Sequence, residues 1–444
     1  MPTKRYFSKS KREPGLGRFI FIITLVVAAG GGAFYAYNHF STGYLSGLTS
    51  APAGAAEALA EAKALLDQGN LDGAAEKIGR LADSSDPLMG PRAVLLSSEV
   101  EEARGNAAGA LEKVEASLEK FRTSPEYPAL AVRQARLLEK AGRAADAVRV
   151  YESLRDNAPP EMRAVGLCGL ARAKEQAGDL VAARDLCFDA VKNAPWGGAV
   201  WNEAVDSLGR LNVQLIFSPQ ETPESRFYAV EKGDSITSIG IKLNTTQGLL
   251  VRANNLGDNT ALSLGQRLKH TPKDFHIIID RSSCQLFLFD NKGLFKRYRV
   301  GLGMPGHETT PGKYTIGDKQ KDPAWFKPGF GRIPPGDPAN ELGVRWMPLV
   351  PTEPSLPKDL GIHGTIAPDS IGQFSSHGCA RMLNEEVVEL YDLVVRSTPV
   401  AIVEKYDPAA SAETAAPAPA QAAPAEEPAQ DADTAAAPAV QPAV

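Results

Sequence analysis

The chain has 444 residues, 43% of them hydrophobic and 23% charged, with a formal net charge of −5. At roughly 100 to 200 residues per domain, that length excludes a single compact domain, and the composition excludes wholesale disorder and a many-span membrane protein. The acidic balance excludes nucleic acid as the main partner, because phosphate recognition needs a basic face and only the first residues supply one.

Residues 1–18 carry Lys4, Arg5, Lys9, Lys11, Arg12 and Arg18 against Glu13 alone, and Phe19–Tyr37 then runs 19 residues without a charge. As a helix rising about 1.5 Å per residue, that run measures about 28 Å, the thickness of a bilayer core. The pattern predicts a single N-terminal transmembrane helix over 19–40, a basic cytoplasmic segment over 1–18, and a globular part outside the cytoplasm. A signal peptide cleaved in the small-residue stretch Ala28–Ala33 is the competing reading. Four cysteines, Cys168, Cys187, Cys284 and Cys379, are too few and too scattered for a disulfide scaffold and form no CxxC pair, so neither metal nor cofactor is expected.

Over 55–211 the chain turns to Ala, Leu, Glu, Lys and Arg with apolar residues at helical spacing, which predicts an all-α region. Gly69, Gly105, Gly142 and Gly178 stand 36, 37 and 36 residues apart, each followed five positions later by alanine (Ala74, Ala110, Ala147, Ala183). Such a register suits stacked helix hairpins: glycine ends the first helix at the turn and alanine lets the second approach closely. The segment resembles the tetratricopeptide repeat, at a slightly longer period. It predicts a solenoid that either spaces the other modules or binds a protein partner, closed by a helix over Ala199–Leu211. Cys168 and Cys187, on the two helices of the last repeat, are open to bridging or to burial as free thiols.

Residues 226–272 read strand, helix, helix, strand, a unit small enough to have a thin core. YAVEKGDSITSIGIKLN, LLVRANNL and LSLGQRLKHTP resemble the LysM domain. The resemblance implies binding of N-acetylglucosamine-containing glycan near Gly233, Asp234, Ser235 and Thr237 and near Leu262–Leu264. Helix capping also accounts for Asp234 and Ser235.

The segment 273–406 opens with alternating apolar strands, FHIIID, CQLFLFD and LFKRYRVGLG, joined at Asn291-Lys292-Gly293 by a hairpin turn. TPGKYTI, a Pro/Gly/aromatic loop over 323–338 and the strand GVRWMPLV follow, predicting a mostly-β domain with a loop-shaped cleft. Then comes IHGTIAPDSIGQFSSHGCARM, Ile362–Met382, which holds His363, His377 and Cys379. A free thiol is mostly protonated at neutral pH, so a nucleophilic cysteine needs a neighbouring base, and histidine is the natural one. The amides of Gly378 and Cys379 can face a developing oxyanion. A metal site from His363, His377 and Cys379 fits no common zinc spacing and lacks a fourth ligand. Asn384 can cap a helix that turns Val387, Val388, Tyr391, Val394 and Val395 toward the sheet.

HGT followed by SHGCARM, together with TPGKYTI and LGVRWM, resembles the L,D-transpeptidase (YkuD-like) catalytic domain over about 130 residues. The resemblance implies that Cys379 is the nucleophile and His363 the base, that His377 and Gly378 complete the motif, and that Ser376, Arg381, Gly364 and Thr365 line the substrate site. A structural ion pair is the alternative for Arg381. It further implies a thioester on the tetrapeptide stem of peptidoglycan, resolved by a stem amine (3→3 cross-link), a lipoprotein lysine, or water (L,D-carboxypeptidase). A non-catalytic peptidoglycan-binding scaffold is the reading from another class. The partners implied are peptidoglycan strands and stem peptides, a single span in the bacterial inner membrane, and an extracytoplasmic workplace. Residues 407–444, rich in Ala and Pro, are expected to form a disordered tail.

Overall fold

The computed structural model describes residues 54–408 except 258–260 and 328. Nine helices, α1 (Ala55–Asp67), α2 (Leu71–Ala82), α3 (Met89–Ala103), α4 (Ala107–Leu118), α5 (Tyr127–Lys140), α6 (Ala144–Asn157), α7 (Pro160–Gln176), α8 (Leu180–Asn193) and α9 (Ala199–Ile216), open the described chain. The glycine register is also a register of backbone conformation. Gly69, Gly105, Gly142 and Gly178 all end the first helix of a hairpin at φ between +73° and +81°, where a side chain is strained. The residue after glycine then starts the next helix: Asn70, Asn106 and Asp179 accept a hydrogen bond from the amide three positions on. Arg143 makes no such cap. The alanines of the register are at most 1% exposed, so each second helix sits against its neighbours without side-chain bulk. Cys168 and Cys187 are buried free thiols.

Helix α9 is longer than the closing helix expected and has a second task. Trp201 and Val205 share a core with Phe287, Leu294 and Tyr406 of the following domain. Asn212 donates to the Phe295 carbonyl at 2.8 Å, and Arg297 reaches Asp206 at 2.6 Å. The solenoid therefore ends on a helix held from both sides.

Strands β1 (Arg226–Ala229) and β2 (Arg267–His270) pair antiparallel and enclose helices α10 (Ile236–Lys242) and α11 (Gln247–Ala253). The core is thin: Val230, Ile236, Ile239, Leu250 and Leu268. External contacts supplement it. Leu249 belongs to the next domain's core, and the buried Lys269 ammonium donates to the Leu215, Ser218 and Gln220 carbonyls where α9 ends.

The last domain contains β3 (His276–Asp280), β4 (Gln285–Asp290), β5 (Gly293–Arg299), β6 (Leu302–Gly303), β7 (Gly312–Ile316), β8 (Gln320–Lys321), β9 (Trp325–Lys327), β10 (Gly331–Ile333), β11 (Arg345–Pro351), β12 (Gly361–His363), β13 (Phe374–Ser376), β14 (Ala380–Arg381), α12 (Asn384–Leu393) and β15 (Pro399–Val403). A nine-stranded sheet runs β14-β12-β11-β7-β15-β3-β4-β5, with β8 also on β11. Helix α12 covers it through Val387, Leu390 and Leu393, a face rotated from the expected one, since Val388 and Tyr391 are only partly buried. Asn384 is the first helical residue, not its cap.

One part of the expected fold class is corrected. Among the described residues no helix is long and apolar enough to cross a membrane. The span assigned to 19–40, with its basic segment 1–18, lies outside the described residues, and the architecture seen here is the helical repeats, the βααβ module and the mostly-β domain. The disordered tail expected over 407–444 also falls almost wholly outside them.

Candidate active site

His363 and Cys379 are sixteen positions apart, and a parallel strand pair sets their two segments side by side. β12 pairs with β14 in the register Ile362↔Ala380 and His363↔Arg381. Cys379 immediately precedes β14, on the turn that enters it. Gly361 is its neighbour across the pair. A Cβ there would strike the Trp346 ring at 2.3 Å, which explains glycine at this position. The Trp346 ring in turn lies 5.7 Å from the His363 ring and bounds it on β11.

The imidazole is oriented by backbone. His363 is buried, and its Nδ1 lies 2.7 Å from the Gly364 carbonyl oxygen. A carbonyl only accepts, so the proton is assigned to Nδ1 and the lone pair to Nε2, the arrangement of a base. Burial is the main reason its pKa is lowered to about 4, with Arg381 acting the same way and the Gly364 and Leu342 carbonyls opposing. Burial likewise pushes the Cys379 thiol up to about 11, against the Gly361 amide, which favours thiolate. At neutral pH the pair therefore rests as thiol and neutral imidazole, and the thiol donates to the Asp359 carbonyl at 3.6 Å. Charge separation awaits the substrate.

The turn bearing the thiol is clamped by Ser376. Its hydroxyl donates to the Cys379 carbonyl at 2.7 Å and accepts from the Gly378 amide at 3.2 Å. Gly378 has φ +114°, a conformation that favours glycine. The Gly378 amide is thus engaged, while the Cys379 amide has no acceptor among the described residues. Ser376 is held by β13 pairing with β6 and by the Met304 amide donating to its carbonyl at 2.9 Å.

The remaining motif residues separate into roles that their types do not announce. His377 is exposed, its ring edge-on to His307 at 5.2 Å, away from the buried His363. Arg381 pairs with Glu341 at 3.0 Å, and its side chain is 12% exposed, so the guanidinium is already partnered. Thr365 is buried and held by Asn384, whose amide group donates to its carbonyl at 2.9 Å and accepts from its N–H at 3.2 Å. Gly364 has no room for a Cβ, because Asn384 Oδ1 would lie 2.2 Å away. Asp359, Gly361, Glu341 and His307 were not legible as site residues. The first two act through backbone atoms, which leave no signature in residue type.

In the small βααβ module, Asp234 is committed internally: it accepts from the Tyr228 hydroxyl at 2.7 Å and the Glu231 amide at 2.8 Å, and pairs with Lys242 at 2.9 Å. The Glu231 amide is the leading reason its pKa is held down near 2. Ser235 caps α10 in a reciprocal box with Ser238. Gly233 turns at φ +88°, and Thr237 alone of the four is an exposed side chain free of a capping duty.

Comparison with known families agrees with these modules. The L,D-transpeptidase catalytic domain (YkuD) matches residues 274–402, the LysM domain 228–270, and the tetratricopeptide repeat 59–128 and 132–196. Among curated proteins, YqjB of Bacillus subtilis is 33% identical over 134 residues, 30% of this chain and 73% of that protein. YkuD of Bacillus licheniformis is 29% identical over 181 residues, 39% of this chain and 97% of its own. Both carry provisional L,D-transpeptidase names. The crystal structure of an L,D-transpeptidase from Mycobacterium tuberculosis H37Rv aligns at 17% identity and TM-score 0.25, spanning 32% of this chain and 64% of that one. With the catalytic-domain match and a relative 33% identical of which this chain covers 73%, the chain belongs to the L,D-transpeptidase family, as a cysteine acyltransferase that carries a LysM domain and tetratricopeptide repeats.

Proposed function

We propose that the chain remodels peptidoglycan outside the cytoplasm by acyl transfer through Cys379, with 273–406 as the catalytic domain and 226–272 holding the wall. His363 Nε2 takes the thiol proton as Sγ attacks the carbonyl of the L-centre residue of a tetrapeptide stem. The oxyanion meets the Cys379 amide first, and the Gly378 amide joins when it leaves Ser376 Oγ. Collapse breaks the peptide C–N bond, the imidazolium returns its proton to the departing D-alanine amine, and the acyl group stays on sulfur as a thioester. A stem amine from a second strand then attacks, passes a proton to His363, and leaves with the acyl group in a 3→3 link as the thiol re-forms. Arg381 and Asn384 are positioning residues: one tethers β14 to Glu341, the other pins the turn after His363.

The observation that supports this reading is the β12–β14 register, which sets the strand carrying the buried, Nδ1-anchored His363 next to the one entered through the partly exposed Cys379. Intact-mass measurement after exposure to a carbapenem tests it. One covalent adduct is expected on the native chain and none on Cys379→Ala; an adduct that survives the substitution rejects the site. Incubation with tetrapeptide muropeptides then identifies the acceptor: 3→3 dimers support transfer to an amine, and tripeptide monomers alone would replace it with water.

A further inference from the structure

Between the LysM domain and the catalytic domain lies a cleft of about 600 Å³. Thr237, Val251 and Leu262 form one wall, and Lys321, Arg345 and Asp392 form the other. Its shape is set by a docked interface. Gly248 lies so close to α12 that a Cβ would be 2.1 Å from Asp392 Oδ1, the Thr246 hydroxyl donates to the Asp392 carbonyl, and Arg252 meets the Asp392 carboxylate at 3.3 Å. Leu249 anchors the same face in the catalytic core.

The charges in the cleft do not cancel. Asp392 is matched by Arg252, and Asp234 at the rim by Lys242. Lys321 is exposed and has no carboxylate within 4.0 Å among the described residues. Arg345 is its cross-strand neighbour. Its carboxylate contact is Asp322 at 3.7 Å, itself 66% exposed; it also donates to the Val344 carbonyl at 2.7 Å and lies over the Tyr391 ring, and its buried Nε has no hydrogen-bond partner among the described residues. Two cations side by side on one wall, opposite a sugar-binding module, favour an anionic ligand.

We propose that Lys321 and Arg345 turn the LysM groove into a composite site that selects glycan strands bearing carboxylate-rich peptide stems over bare glycan. This rests on the reading of 226–272 as a glycan-binding module. Arg345 and Trp346 are consecutive on β11 and therefore point to opposite faces, and Trp346 is the one beside His363. The strand held in the cleft is thus a tether on the far face of β11, and its affinity is separable from acylation at Cys379.

Binding of the full chain is measured to three probes: stem-bearing glycan strands, the same strands stripped of stems by an amidase, and a neutral N-acetylglucosamine hexamer. Wild type is expected to prefer the stem-bearing strands, with a preference that shrinks as salt rises. Lys321→Glu should weaken the stem-bearing probe by about fivefold, leave the other two unchanged, and leave the rate of carbapenem acylation unchanged. Thr237→Tyr, which fills the cleft from the LysM side, should weaken all three. If Lys321→Glu changes no probe, or all three equally, while Thr237→Tyr still acts, the composite site is wrong and the LysM reading stands. If wild type binds none of them, both fall.

Discussion

The helical-repeat region and the catalytic domain solve the same problem, burying apolar surface, with contacts of opposite range. In the repeats, every structural event is written within a few residues: glycine at positive φ, a cap at the next position, alanine at the packing contact. In the catalytic domain, the two segments of the proposed chemistry lie side by side only because a short parallel pair at the sheet edge aligns β12 with β14. A local code tolerates damage locally, whereas a site assembled from distant segments fails as a unit.

The largest effect should come from the site. His363→Ala is expected to slow carbapenem acylation by ~10² to 10⁴ fold, the usual worth of a general base, with far-UV circular dichroism unchanged; a smaller loss would shift the role to His377. The next is a pH effect on stability. The folded His363 pKa is depressed from 6.5 to about 4, so the unfolded ring takes the proton first as pH falls. Stability should be whole above about pH 6.5 and decline toward pH 4, by ~3 kcal/mol for this group. Urea unfolding followed across that window should show the decline, and His363→Gln should flatten it.

Asn384→Ala removes both bonds to the Thr365 backbone. A cost of ~1 to 3 kcal/mol is expected, together with slower acylation, because the turn carrying the Gly364 carbonyl loses its clamp. Acylation that stays at the wild-type rate while stability falls would separate the clamp from the chemistry. The smallest effect belongs to the repeats: Gly142→Ala, at φ +73°, should cost ~1 to 2 kcal/mol and raise amide hydrogen exchange in α5 and α6 only, leaving acylation untouched. A loss of acylation there would break the contrast between the two regions.

The motif residues illustrate how far residue type carries meaning. SHGC pointed to Cys379 as nucleophile, and of the two histidines weighed as its base His363 is buried and His377 exposed. Arg381 and Thr365 read equally well as substrate contacts, yet their polar groups are engaged by Glu341 and Asn384, which lie 40 positions before one and 19 after the other. The Gly378 amide was assigned to the oxyanion from its place in the chain, and Ser376 Oγ occupies it at rest. The transmembrane helix rested on an uninterrupted apolar run that lies outside the described residues, and no helix among those described is long and apolar enough to cross a membrane.

Periodicity, turn chemistry and short motifs determined the three kinds of module and the helix hairpins, because these depend on neighbours within about one turn of chain. Tertiary structure alone decided which nitrogen of His363 is anchored to the Gly364 carbonyl, which amides remain available, how α9 and Leu249 weld the modules, and that Lys321 and Arg345 face the LysM groove. Each of those depends on atoms tens of residues away, whose separation is set by sheet register and burial.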